Sequence, residues 1–371
     1  MSPTEYPVII IGAGQAGLAA AHEVQRRGIT NFLILDANDG PGGAWRHRWD
    51  SLTLGKSHGI ADLPGLPLDR PDPTVPASEV VAKYYGAYEQ NFDLPVHRPA
   101  RVAQVTGTGP FTGPLTVTLE SGEQFTAEVV INATGTWDSP YIPYIPGINK
   151  FAGQQLHTKH YRRKEDFAGK RTLVVGGGLS AVQFLLELES VTETIWATRR
   201  PPQFVDGFGD SDWGLNVEKR VRENTFAGKL PASVVANTGI PLIDDYLAGV
   251  ESGALVSRGM FNEINSTGVR FGASDSSTSN LVVPESWSPF PAGHEIDVDV
   301  IFWNTGFRAH LPHLAPLQLR EPGGGITMAD EVTPARNPRV LLAGYGSTAS
   351  TVGANRAGRL AGRAAARLLS Q

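Results

Sequence analysis

The chain has 371 residues, 41% of them hydrophobic and 19% charged, the composition of a globular protein with room for two domains. A formal net charge of −5 argues against a general nucleic-acid surface, and the absence of any cysteine excludes disulfides, thiolate nucleophiles and Cys-ligated zinc or iron–sulfur centres. No stretch approaches about 18 consecutive apolar residues and no basic-then-apolar leader is legible, so no membrane association and a cytoplasmic location are expected.

Val8-Ile9-Ile10-Ile11 reads as a buried strand that runs straight into GAGQAG, with glycines at Gly12, Gly14 and Gly17. An Ala-rich helix follows, opened by Gln15 and Ala16, and then a second apolar strand, Phe32 to Leu35, closing on Asp36 and Ala37. This is a β-α-β unit with a dinucleotide fingerprint in its confirming context. The stretch from Gly40 to Pro76, rich in Gly, Pro and Trp, has no periodicity and is expected to be a long functional loop. Ser78 reads as the N-cap of a helix carrying Val80, Val81, Tyr84, Tyr85 and Tyr88. Leu115 to Leu119 and Gln124 to Ile131 flank Glu120-Ser121-Gly122-Glu123 as a hairpin, and the second run ends in Ala133-Thr134-Gly135.

A second β-α-β unit starts at Lys170. Thr172 to Val175 lead into GGGLSA, with Gly176, Gly178, Leu179, Ser180 and Ala181 at the turn and helix start. The strand Thr194 to Thr198 then ends in Arg199-Arg200. From about 203 to 290 the pattern weakens, and it returns at Asp299 to Trp303 and at Val340 to Ala343. The C-terminal segment places Arg359, Arg363 and Arg367 one turn apart beside Leu360, Ala364 and Leu368, an amphipathic helix packed on a core.

The fingerprints differ where it matters. Glycines allow a tight turn, close approach of backbone to a pyrophosphate and close helix packing, while the helix N-terminus offers unpaired N–H groups. Asp36 suits the hydroxyls of an unphosphorylated ribose, as in FAD, whereas Arg199 and Arg200 suit a 2′-phosphate, as in NADPH. The expected fold is α/β, with two Rossmann-like dinucleotide-binding domains. The FAD domain covers 1–155 and 295–371, and the NADPH domain is inserted at 156–294.

Gly42-Gly43-Ala44-Trp45-Arg46-His47-Arg48-Trp49-Asp50-Ser51-Leu52-Thr53-Leu54 and the run from Phe151 to Tyr161, with Gly153 and His157 in FxGxxxH spacing, carry a more specific likeness. On these residues the chain resembles the flavin-containing monooxygenases, in their short soluble bacterial form. The resemblance implies an FAD site formed by Gly12, Gly14, Gln15, Ala16, Gly17, Asp36, Ala37, Gly43, Ala44, Trp45, Arg46, Leu52, Val102, Ala133, Thr134 and Gly135. It implies an NADPH site at Gly176, Gly178, Leu179, Ser180, Ala181, Arg199 and Arg200. Asn304-Thr305-Gly306-Phe307 resembles a second crossing between domains, and Gly344-Tyr345-Gly346 with Ser350 to Asn355 resembles a helix start facing the flavin. Many relatives carry Asn right after SLxL; Gly55 stands there, followed by Lys56, Ser57 and His58. Gly55, Lys56 and His157 are therefore candidates to influence the chemistry, with no certain catalytic side chain.

The implied reaction is oxygenation of a sulfide or amine, or insertion into a ketone, by a C4a-(hydro)peroxyflavin formed from FAD, NADPH and O2. Two other readings stay open at this point. One is an NADPH oxidase or reductase passing electrons to O2, a quinone or an iron–sulfur protein, and the other is a flavin-based redox sensor. The expected partners are a small-molecule substrate and O2, with a homodimer open as the assembly. The HxxH pairs His157/His160 and His310/His313 lack a third ligand, so no metal is expected.

Overall fold

Each of the two fingerprints begins at the end of a parallel strand, and each strand belongs to its own sheet. The computed structural model describes residues 3–57, 60–69, 72–205, 221–231 and 239–370. The chain folds as two units, one formed by Met1–Ser139, Glu218–Val234 and Ala309–Gln371, the other by Pro140–Val217 and Val235–Arg308.

In the first unit β1 (Thr4–Ile11) and β2 (Phe32–Leu35) are joined by α1 (Gln15–Arg26) and pair in parallel, Ile11 opposite Leu35. Helix α2 (Ala77–Asn91) precedes β3 (Val96–His97), β4 (Val102–Gly107), β5 (Leu115–Leu119) and β6 (Gln124–Asn132). The strand order is β3-β2-β1-β6-β5-β4, with Val340–Leu342 added in parallel on β6. Apolar residues on both sides of these strands explain why they read as continuous runs: Ile9, Ile10 and Ile34 are fully buried. Ser78 lies buried inside the first turn of α2, and Pro76 takes the N-cap position without a side-chain cap.

The C-terminal helix Thr351–Leu369 packs on α1 through a face of small residues: Ala357, Gly358, Ala361 and Ala365. Its arginine face is used too. Arg363 and Arg27 both donate to Oε1 of Glu23, which is 1% exposed on α1. Its N-cap Ser350 accepts from the Gly353 N–H at 3.0 Å.

In the second unit β7 (Gln154–His157), β8 (Arg171–Val175) and β9 (Glu193–Ala197) are joined by Val300–Trp303 in an all-parallel sheet, Val300–Trp303 lying between β7 and β8. Helix α3 (Leu179–Leu188) crosses from β8 to β9. The sequence pattern places the crossings near 155 and 295, whereas the units divide at 139/140 and 308/309. The reason is strand pairing: Gln154–His157 and Val300–Trp303 align residue for residue in one ladder, so both belong to the second unit. The weakly patterned region contributes two antiparallel strands, Phe261–Ile264 and Gly268–Phe271, which Glu295–Asp297 extends to a three-stranded sheet.

Candidate cofactor-binding sites

The first glycine turn is held by backbone geometry that a side chain would break. Gly12 has φ +101°, and a Cβ there would lie 2.6 Å from the Ala133 carbonyl oxygen. Gly12 N–H donates to Leu35 O at 2.7 Å, and Ala133 N–H donates to Ile11 O at 2.8 Å, tying the turn to both neighbouring strands. A Cβ at Gly17 would overlap Gly12 O, so α1 can rest on the turn only without one. The loop at 42–43 comes up to this turn: a Cβ at Gly43 would be 2.8 Å from Gly14 Cα. Helix α1 has no side-chain cap at Gly14. The turn therefore offers uncapped N–H groups and a cradle free of side chains, which fits a dinucleotide diphosphate.

Asp36 stands at the end of β2, 3% exposed. Its Oδ2 accepts from Arg98 Nε at 2.7 Å and its Oδ1 from Asn38 Nδ2 at 3.1 Å. The Arg98 guanidinium is gripped on its other side by both Glu89 oxygens, at 2.7 and 2.6 Å. Each Asp36 oxygen keeps a lone pair for a ribose hydroxyl. Sequence reading had no signal for Arg98 or Glu89, which come from β3's end and from α2.

The remaining first-site candidates divide. Ala133 and Thr134 border the turn; Thr134 Oγ1 donates to His310 O at 2.6 Å, and Gly135 O accepts from the His310 N–H at 2.9 Å. Val102 opens β4, partly buried, while Ala37, Trp45 and Leu52 are partly buried and Ala44 is exposed. Arg46 is folded back on its own loop, donating to Pro41 O and Asp39 Oδ1, both at 2.8 Å. Arg48 behaves differently. Its guanidinium lies 4.3 Å from the Trp137 ring centre and 5.8 and 5.9 Å from those of Trp45 and Trp49. Its Nε is shut off from solvent without an acceptor, and burial pushes the guanidinium pKa down to about 10.

Gly55 sits in a 3-10 turn with its N–H on Pro73 O at 2.8 Å, and a Cβ there would press on Pro73 at 3.1 Å. A side chain at this exposed position would need Pro73 to give by a few tenths of an ångström. Ser57 turns its hydroxyl to Leu54 O at 2.7 Å. Lys56 is exposed, and His58 lies outside the described residues.

The second turn repeats the first. Gly176 has φ +143°, its N–H donates to Ala197 O at 3.0 Å, and a Cβ would overlap the Asn304 carbonyl. The Trp196 indole N–H donates to Gly176 O at 2.7 Å, an added brace. Gly178 begins α3 without a side-chain cap, and a Cβ on it would meet nothing within 4 Å, so the space before the helix is open. Leu179 and Ala181 are buried and Ser180 is half-buried. Arg199 and Arg200 are exposed at the strand end, with no ion pair among the described residues, and Thr198 Oγ1 donates to Arg200 O at 2.6 Å to fix the backbone between them. This pairing of an open helix N-terminus with two unengaged guanidiniums fits a phosphorylated dinucleotide.

His157 is an internal brace. Its Nδ1 accepts from the Lys159 N–H at 3.1 Å, so the ring proton is on Nε2, which donates to Gly306 O at 3.0 Å. It lies edge-on to Phe307, and burial pushes its pKa down to about 4. His313 is similarly neutral, its Nε2–H donating to Asn132 Oδ1 at 2.6 Å.

Comparison with known proteins now adds to this geometry. The family model for pyridine nucleotide-disulphide oxidoreductases matches residues 9–223. A flavin-containing monooxygenase from Stenotrophomonas maltophilia superposes with a TM-score of 0.78 at 32% identity, covering 99% of both chains. Indole-3-pyruvate monooxygenase YUCCA1 of Oryza sativa subsp. japonica is 36% identical over 181 residues, a match spanning 48% of this chain and 44% of the rice protein. The bacillithiol disulfide reductase of Bacillus cereus shares the fold, with a TM-score of 0.69 at 20% identity. No helix among the described residues is long and apolar enough to cross a membrane. The disulfide chemistry in the family's description needs cysteine, and this chain has none. With its two glycine turns and a likeness over nearly its whole length, the chain belongs to the pyridine nucleotide-disulphide oxidoreductase family, in its flavin-containing monooxygenase branch, whose cofactors are FAD and NADPH.

Proposed function

We propose that the chain is an FAD-dependent monooxygenase that uses NADPH and O2 to oxygenate soft nucleophiles, sulfides or amines. The supporting observation is the unequal pair of glycine turns in a chain without cysteine: one beside a braced carboxylate, the other beside two exposed arginines that pair with no acid among the described residues. Bound FAD supplies two-electron redox chemistry and, once reduced by NADPH, activation of O2. The protein's part is binding and orientation. The α1 N-terminus and the Gly14–Gly43 backbone hold the FAD diphosphate, and Asp36, fixed by Arg98 and Asn38, takes the ribose hydroxyls. The α3 N-terminus takes the NADPH diphosphate, and Arg199 and Arg200 grip its 2′-phosphate. No side chain need act as a covalent nucleophile.

The test is turnover of thioanisole with NADPH under ¹⁸O2. The expected result is the sulfoxide carrying one ¹⁸O per molecule. Peroxide equal to the NADPH consumed, with no sulfoxide, overturns oxygenation in favour of an oxidase. Because the rice relative is named for an α-keto acid substrate, indole-3-pyruvate is the second compound to offer.

A further inference from the structure

Arg48 is a cation without a counter-ion among the described residues. Its neighbours are three indole rings, its Nε–H has no acceptor, and no acidic side chain among the described residues pairs with it. Other arginines along the same segments are engaged: Arg46 by Asp39, Arg98 by Asp36 and Glu89, Arg101 by Asp138. A guanidinium whose Nε–H is shut off from water and which no carboxylate pairs is costly unless an anion completes it. Ring faces alone supply a modest attraction.

Its position names the anion. Arg48 ends the segment that starts at Gly42–Gly43, and Gly43 abuts Gly14 at the head of α1. Trp137 follows the Ala133–Gly135 run at the end of β6, and Ala133 O abuts Gly12. The stacking of Arg48 on Trp137 thus joins the two segments that flank the glycine turn. We propose that Arg48 is a receptor for the diphosphate of the dinucleotide at this turn, its N–H groups donating to phosphate oxygens while the tryptophans hold the guanidinium plane. This rests on the FAD reading of the first turn. It assigns to Arg48 the phosphate contact for which Arg46, spent on Asp39 and Pro41, is not free.

The experiment compares unmodified protein, Arg48→Met and Arg48→Lys, each stripped of flavin and titrated by flavin fluorescence with FAD and with riboflavin, which has no phosphate. Met keeps the bulk of the stem between the indoles. The expected result for Arg48→Met is an FAD Kd raised roughly 10- to 100-fold, by loss of charge-assisted hydrogen bonds, with riboflavin binding unchanged. Arg48→Lys restores part of the loss. The flavin-free Arg48→Met protein melts at or above the unmodified Tm, because an uncompensated charge is gone. A structural brace gives the opposite sign, a lower Tm without flavin. An FAD Kd within twofold of the unmodified protein, or equal weakening of FAD and riboflavin, overturns the proposal. Unmodified protein that binds no FAD at all overturns the flavin reading itself, a separate result.

Discussion

At the scale of single residues, the chemistry legible in the sequence was the part carried by adjacent positions. Gly12, Gly14 and Gly17 could be read because the turn, the cradle and the helix contact all fall within one short run. Asp36 could be read from its distance along the chain, but its brace could not: Arg98 lies 62 positions away, and only the parallel pairing of β2 with β3 brings it alongside. Arg46 and Arg48 look equivalent in sequence, and only packing separates the paired one from the unpaired one. Replacing Gly14 with Val is expected to give a colourless protein, since the branched side chain would fill the space left for the diphosphate; flavin absorbance in the purified variant checks this. Neutralising Arg199 and Arg200 together is expected to raise KM for NADPH roughly 10- to 150-fold while leaving KM for NADH nearly unchanged. Equal changes for both cofactors would remove the 2′-phosphate role.

Between elements, burial sets a pH dependence. His157 and His313 are held neutral with pKa values near 4, against about 6.5 in an unfolded chain. Their folded pKa values are depressed, so the unfolded state binds protons first. Stability is full above about pH 6.5 and is lost as pH falls from there towards 4. Tm measured across that window is expected to drop, and less so in His313→Gln, which keeps a donor for Asn132. The contact of α1 with the C-terminal helix is another matter of elements. The sequence marks an amphipathic helix by its arginines and leucines, but the buried face is made of Ala and Gly, so hydrophobic periodicity understates it. A Cβ at Gly358 would overlap the Ala16 carbonyl at the head of α1. Gly358→Val is expected to cost at least about 1–3 kcal/mol and to weaken FAD binding with it, since α1 carries the diphosphate site. A thermal melt and an FAD titration of that variant decide both.

Across the whole molecule, the α/β class and the two turns followed from strand–glycine–helix patterns, while the division into units did not. Residues 154–157 and 300–303 are apolar or mixed runs that either sheet could accept, and only their mutual register assigns them. Segment Glu218–Val234 returns to the first unit through Val221, Thr225 and Phe226, packing that no local pattern announces. FAD at 100 times its Kd is expected to stabilise the protein by about 2.7 kcal/mol, and calorimetry with increasing FAD reads that as a rising Tm.

The tryptophan cage has one more consequence, an optical one. Trp45, Trp49 and Trp137 are three of the chain's seven tryptophans, and they surround the cation proposed to meet the FAD diphosphate. Indole emission overlaps flavin absorption, so flavin at that turn drains their excited states by energy transfer. Occupancy of the first turn should therefore be readable in unlabelled protein, as a fall in ultraviolet emission that returns when the flavin is stripped away.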